Sequence, residues 1–272
     1  MSKQRDRERR PARSTTPVEP RRRLLVVCEG KVTEPEYLEG FRRYCRNPRI
    51  DIRIVGPAGD PFTLVRKAKA LQQNAEAAAR GENDHNLLYD EVWCVFDVDE
   101  HLRLPDAVKF ARDNGFRLAV SNPCFELWLL LHLRDHPGPQ HRDDVQKMLR
   151  ELMPTAAPKH VDFNHVVLGY EDAFRRAERL EKEATQCGDA GRNPSTGVFR
   201  LTDSIDDVGR EKRAAERQKR RDQSKEKAMA AANAALEQAA REEREEREGR
   251  ELSGEAVALD AKDSTSSTDS VE

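Results

Sequence analysis

Short apolar runs alternate along the chain with longer stretches in which apolar residues recur every three or four positions. Residues 24–28 form an unbroken apolar run with β-branched members, the mark of a strand buried on both faces. Thr33 then offers a helix N-cap and Glu36 its capping-box partner, with Pro35 tolerated in the first turn. Leu38, Phe41 and Cys45 follow at helical spacing. Residues 51–55 predict a second strand. Asp60 and Pro61 open a second helix, whose Leu64, Ala68, Leu71, Ala75 and Ala78 keep one face apolar. A polar loop at 81–90 leads into a third strand at 92–96, which ends in Asp97-Val98-Asp99-Glu100-His101. A short helix at 105–114 is closed by Gly115. A fourth strand at 116–120 precedes Asn122 and Pro123, which are expected to cap a strongly apolar helix at 125–133.

Strands alternating with helices predict an α/β fold with a mostly parallel sheet flanked by helices. After residue 136 the pattern turns helical: about 141–152, about 164–187, and a last helix that Ser195 and Thr196 would cap. The organisation read from these shifts is a disordered basic arm at 1–21, an α/β domain at 22–136, a helical part at 137–209 and a charged tail at 210–272. The tail is Arg-, Lys-, Glu- and Ala-rich and then Ser/Thr/Asp-rich. It is either a single solvated helix held by i,i+4 ion pairs or disordered.

Composition sharpens this picture. Among 272 residues, 36% are charged and 37% hydrophobic. That is too polar for one uniform globule and too apolar for a wholly disordered chain. No stretch approaches the roughly 18 apolar residues of a membrane span, and the basic N-terminus lacks an apolar signal core, so a cytoplasmic protein is expected. The cysteines number five, at Cys28, Cys45, Cys94, Cys124 and Cys187, with no CxxC pair. Reduced, mostly buried thiols fit this better than a disulfide frame or a zinc site. Net charge −2 gives no global sign of nucleic-acid binding. The arm at 1–23, with nine Lys and Arg against three Asp and Glu, is the local exception, together with 210–227. Such an arm would add salt-sensitive affinity for a polyanion.

Two acidic points gain interest from where they fall. Glu29 directly follows the first strand, and Asp97 and Asp99 follow the third. Open α/β sheets bind ligands outside the carboxyl ends of their strands. If strands one and three are neighbours, these carboxylates converge. Three carboxylates without His or Cys are hard oxygen ligands suited to Mg²⁺ or Mn²⁺. Loops also carry acids routinely, and the residues alone leave both readings open. Gly30 is either a turn residue or a point of close backbone approach to phosphate. Lys31 has a plausible address beside Glu29; Lys159 is the other cation of interest. No Ser/His/Asp or Cys/His arrangement and no GxxxxGK[ST] loop appears, so ATP hydrolysis by this chain is not expected.

Four segments carry a resemblance: Cys-Glu-Gly-Lys-Val-Thr-Glu-Pro-Glu-Tyr (28–37), Val-Phe-Asp-Val-Asp-Glu-His (95–101), Ser-Asn-Pro-Cys-Phe-Glu-Leu-Trp-Leu-Leu-Leu-His (121–132) and Asn-Pro-Ser-Thr (193–196). They resemble the RloB-like family of bacterial abortive-infection proteins, over about residues 22–209. The resemblance implies a Toprim-like (topoisomerase–primase) domain in which Glu29, Asp97 and Asp99 hold Mg²⁺. It further implies a nuclease acting in phage defence beside an ATPase partner of SMC/ABC or OLD type. RNA, including tRNA, and DNA both remain open as substrate. Glu126 falls in the first turn of its helix, where the dipole favours it whatever its role; its place in the family motif suggests a further metal ligand or general base. His132, on the same apolar helix, is read as a satisfied core histidine. The competing reading is a non-catalytic regulatory or scaffold subunit. Nucleotidyl transfer or strand passage ranks lower, because strand passage needs a catalytic tyrosine and Tyr37, Tyr44, Tyr89 and Tyr170 are the only ones present.

Overall fold

The computed structural model describes residues 21–98, 103–136, 138–154, 159–189 and 191–263. The described residues up to Asp207 form one compact unit, and those from Val208 onward a second. The basic arm lies outside the described residues, apart from its last position.

In the first unit, five strands line up in the order β2-β1-β3-β4-β5. β1 is Arg22–Cys28, β2 Ile50–Val55, β3 Glu91–Asp97, β4 Arg117–Asn122 and β5 Ser195–Thr196. The first four run parallel, with Val27 beside Cys94 and Asp97 beside Ser121, while β5 is antiparallel to β4. Side chains alternate across a strand. Leu24, Val26 and Cys28 of β1 accordingly join one core cluster and Leu25 and Val27 the other. The first cluster packs under helices α1 (Thr33–Cys45), α4 (Glu126–Leu133), α5 (Arg142–Leu152), α7 (Tyr170–Gln186) and α8 (Val198–Ile205). The second packs under α2 (Pro61–Glu82) and α3 (Leu104–Asp113). The sheet is thus covered on both faces, which is why its strands read as apolar runs.

The expected strands and helices are present, and the differences are informative. Thr33 and Glu36 do not form a capping box. The Thr33 hydroxyl donates to the Lys159 carbonyl at 3.0 Å, and the Glu36 carboxylate accepts the Val161 N–H at 2.9 Å. Both side chains fasten α1 to a distant segment. Asn122 does not cap α4, because it stays in β4 opposite Ser195 and donates its amide to the Gly191 carbonyl. Ser195 and Thr196 belong to a strand rather than a cap box; only the Thr196 hydroxyl turns back, accepting the Val198 N–H at 3.3 Å. On α2 the last turns bury Ala79 and expose Ala78. The expected helix at 164–187 is broken into α6 (Phe163–Val166), a single 3₁₀ turn at Val167–Gly169 and α7. The described part of the charged tail is helical, within α9 from Asp207 to Asp263, and 264–272 lie outside the described residues.

The glycine at the break before α7 has a steric reason. A Cβ on Gly169 would lie 1.9 Å from the His132 carbonyl oxygen, so only glycine lets α7 dock against α4 here. Gly169→Ala is expected to lower stability by about 1–3 kcal/mol, the usual cost of overpacking. Urea denaturation of the two proteins at equal m-value would measure it; an unchanged midpoint would contradict the contact.

Candidate functional site

The strand order reverses direction between β1 and β3: β1 leads to β2 on one side, and β3 and β4 continue on the other. That is the switch point at which open α/β sheets leave a crevice. Glu29 and Asp97 stand on its two sides. The Glu29 N–H donates to the Val95 carbonyl at 3.0 Å, prolonging the ladder by one residue. Its carboxylate accepts the Asp97 N–H at 3.2 Å. The neighbouring-strand condition set by the sequence is therefore met, and the two acids meet.

Two more carboxylates join them. Glu34, on the first turn of α1, is 7% exposed and accepts the Gly30 N–H at 3.0 Å. A Cβ on Gly30 would meet that carboxylate, so a side chain there would push Glu34 out of its present position. Glu126, on the first turn of α4, accepts the Gln146 side-chain amide at 3.3 Å. All four acids line one pocket of about 530 Å³ with Lys31, Lys159, Arg142 and Gln146. Arg142 brings its guanidinium to 3.8 Å from the Asp97 carboxylate. Lys159, in the left-handed conformation at φ 66°, offers its carbonyl to Thr33.

Electrostatics follow from this crowding. Burial, then the charges of Glu34, Glu126 and Glu29, push the Asp97 carboxyl well above the ordinary carboxylate range, with Arg142 pulling the other way. Burial likewise raises Glu34, helped by Glu126 and Glu29 and opposed by hydrogen bonds from its own backbone and from Gly30. Burial and the nearby acids also raise the Cys28 and Cys124 thiols, so neither is a poised nucleophile.

Of the residues singled out in the sequence, Glu29, Lys31, Asp97, Glu126 and Lys159 share this pocket. Asp99 lies outside the described residues. His132 does not reach the pocket: it is 4% exposed within the core. Sequence reasoning passed over Glu34, Arg142 and Gln146. Glu34 had a usable signal, since it stands in the same short segment as Glu29 at the start of a helix. Arg142 and Gln146 had none, because only the packing of α5 against α4 brings them in. Oxygen-only donors are the right chemistry for a hard cation. Among the described residues, however, no group of three or more His, Cys, Asp or Glu has the spacing to hold a metal ion as it stands.

The family described as RloB-like protein matches residues 24–205. The chain belongs to that family. The matched span of this RloB-like chain opens in β1 and closes with α8, so it takes in every pocket residue named above. Comparison with curated proteins and with solved structures returned no match. No helix among the described residues is long and apolar enough to cross a membrane.

Proposed function

We propose that this chain is a Mg²⁺- or Mn²⁺-dependent nuclease of Toprim-like type, acting on RNA or DNA in an anti-phage abortive-infection system beside an ATPase partner. The observation that carries the reading is the convergence of Glu29, Glu34, Asp97 and Glu126 at the β1/β3 switch point, rimmed by cations. The raised proton affinity of Asp97 and Glu34 marks a site whose crowded carboxylates favour a cation. Glu29 and Asp97, with Asp99, would hold it. When bound, the ion supplies charge neutralisation at a phosphodiester and a water of lowered pKa. The chain's own groups do the rest. Lys31, Lys159 and Arg142 bind and orient the phosphate. Glu126, whose carboxylate accepts the Gln146 amide, would accept a proton from the attacking water.

One observation favours the alternative, a non-catalytic regulatory or scaffold subunit. The Arg142 guanidinium already stands against Asp97, where it supplies part of the missing positive charge.

The test incubates the full chain, with and without a candidate ATPase, with tRNA, single-stranded and duplex substrates in Mg²⁺, Mn²⁺ or EDTA. The expected result is cleavage with either metal and none in EDTA. A folded protein that cleaves nothing under any condition, or cleaves equally in EDTA, overturns the nuclease reading.

A further inference from the structure

A second groove, of about 820 Å³, opens on the other side of the segment fastened to α1. Lys159 of that segment faces the carboxylate pocket, while Val161, Asp162 and Phe163 line the second groove. The opposite wall is the C-terminal half of α1, with Arg43 and Tyr44, and the C-cap residue Arg46. Tyr44 is 55% exposed although it is a large aromatic. Its ring meets only the inner side of the groove, at 6.1 Å from the Phe41 ring and 6.4 Å from that of Phe163. The acids here are already engaged. Glu36 accepts the Val161 N–H and pairs with His160, and Asp162 accepts the His165 N–H. Arg46 and the Asn164 amide are without a side-chain partner among the described residues.

A helix C-terminus favours basic residues on its own, which accounts for Arg43 in the last turn of α1. It favours Arg46 as well, the C-cap residue, which takes the left-handed conformation at φ 45°. It does not account for a tyrosine left uncovered between the two cations. A flat ring, flanking guanidinium groups and a free amide are the elements with which proteins hold an unstacked base and its phosphates.

We infer that this groove is a base-stacking subsite for single-stranded nucleic acid, with Tyr44 stacking a base and Arg43 and Arg46 holding the adjoining phosphates. The inference rests on the nuclease reading for its substrate class. Thr33, at the carboxylate pocket, and Tyr44 lie eleven residues apart on α1, about 16 Å at 1.5 Å per residue. A strand crossing Lys159 and His160 from one site to the other would span a few nucleotides. The subsite would therefore select single strands over duplex, whose bases cannot reach a ring.

Binding tests the subsite apart from cleavage. Fluorescence anisotropy of the full chain in EDTA would use short labelled single-stranded RNA and DNA and a matched oligonucleotide with abasic positions. Tyr44→Ala is expected to weaken binding of the normal oligonucleotides about tenfold, Tyr44→Phe to keep it, and the abasic probe to bind wild type and Tyr44→Ala alike. Arg46→Ala is expected to reduce the slope of log affinity against log salt by about 0.7, one phosphate contact on a single strand. The RNA and DNA arms separate the two sources of the base. Unchanged affinity in Tyr44→Ala overturns the subsite and leaves this face for a protein partner, even if wild type cleaves in Mg²⁺. Tyr44-dependent binding by a chain that cleaves nothing supports the subsite while the nuclease reading falls.

Discussion

Asp97→Asn is expected to abolish metal-dependent cleavage while making the protein more stable. If the proposed metal site is right, the loss should reach at least about 10³-fold, because the change removes the charge of a proposed metal ligand. The gain follows from the crowding around the same side chain. Asp97 is nearly buried, with its side chain 16% exposed, and three other acids raise its proton affinity. Its carboxyl is thus held above the ordinary value when folded and returns to that value when unfolded. Between the two, the folded state binds more protons, so stability falls as pH rises through that window and stays lowered above it. Asparagine does not titrate and keeps the shape. The variant should match wild type near pH 4 and exceed it at about pH 8 by about 2–4 °C in Tm, the shift expected from ~1 kcal/mol in a domain of this size. Thermal unfolding in EDTA at both pH values would measure it. A variant that cleaves like wild type, or one that is less stable at about pH 8, would count against Asp97 as a frustrated ligand.

That trade-off explains why the site was partly legible before the fold was seen. Glu29 and Asp97 each end an apolar run, and acids at the mouths of buried strands have no packing reason to be there. Strand adjacency was the missing condition, and it depends on which neighbour β1 chooses, which no local pattern encodes. Glu34 was hidden by its helix: an acid in a first turn is ordinary, and only the Gly30 contact shows it turned inward. Arg142 and Gln146 lie more than a hundred residues from Glu29 and arrive through the packing of α5. The fold itself was easier to read, because alternation of apolar runs and helical stripes is a local property. Its misread helix caps share one cause. Thr33, Glu36, Asn122, Ser195 and Thr196 are side chains that can cap a helix locally, and tertiary partners took most of them instead. Capping residues near this site serve as cross-links between elements, which holds the two pocket walls in register.

His132 supplies a second large dependence of stability on acid. Its Nδ1 lies 2.8 Å from the Trp128 carbonyl oxygen, which can only accept, so Nδ1 carries the proton. Nε2 then accepts from the Tyr37 hydroxyl at 3.2 Å. One neutral tautomer satisfies both bonds inside a cage of Tyr37, Trp128 and Tyr170 rings. Burial, with the positive charge of Arg176 nearby, lowers its pKa to about 4 against the hydrogen bond to Trp128. The unfolded chain takes up this proton near the ordinary value of about 6.5, and the native state does not until about 4. Stability contributed by neutral His132 is therefore complete above about pH 6.5 and is lost as pH falls towards 4, by about 3 kcal/mol. Asp97 and Glu34 act in the opposite sense over acidic pH, since their raised values favour the folded state as protons are added. Wild type alone would show only the difference. His132→Leu separates them: it keeps both acids and loses the titration. At about pH 7 the variant should be the less stable protein, having given up two buried hydrogen bonds. The gap should narrow by most of 3 kcal/mol by about pH 4.5 in urea unfolding. A gap that stays constant with pH, or an imidazole signal titrating near 6.5 in the folded protein, would place His132 in contact with water and outside the core.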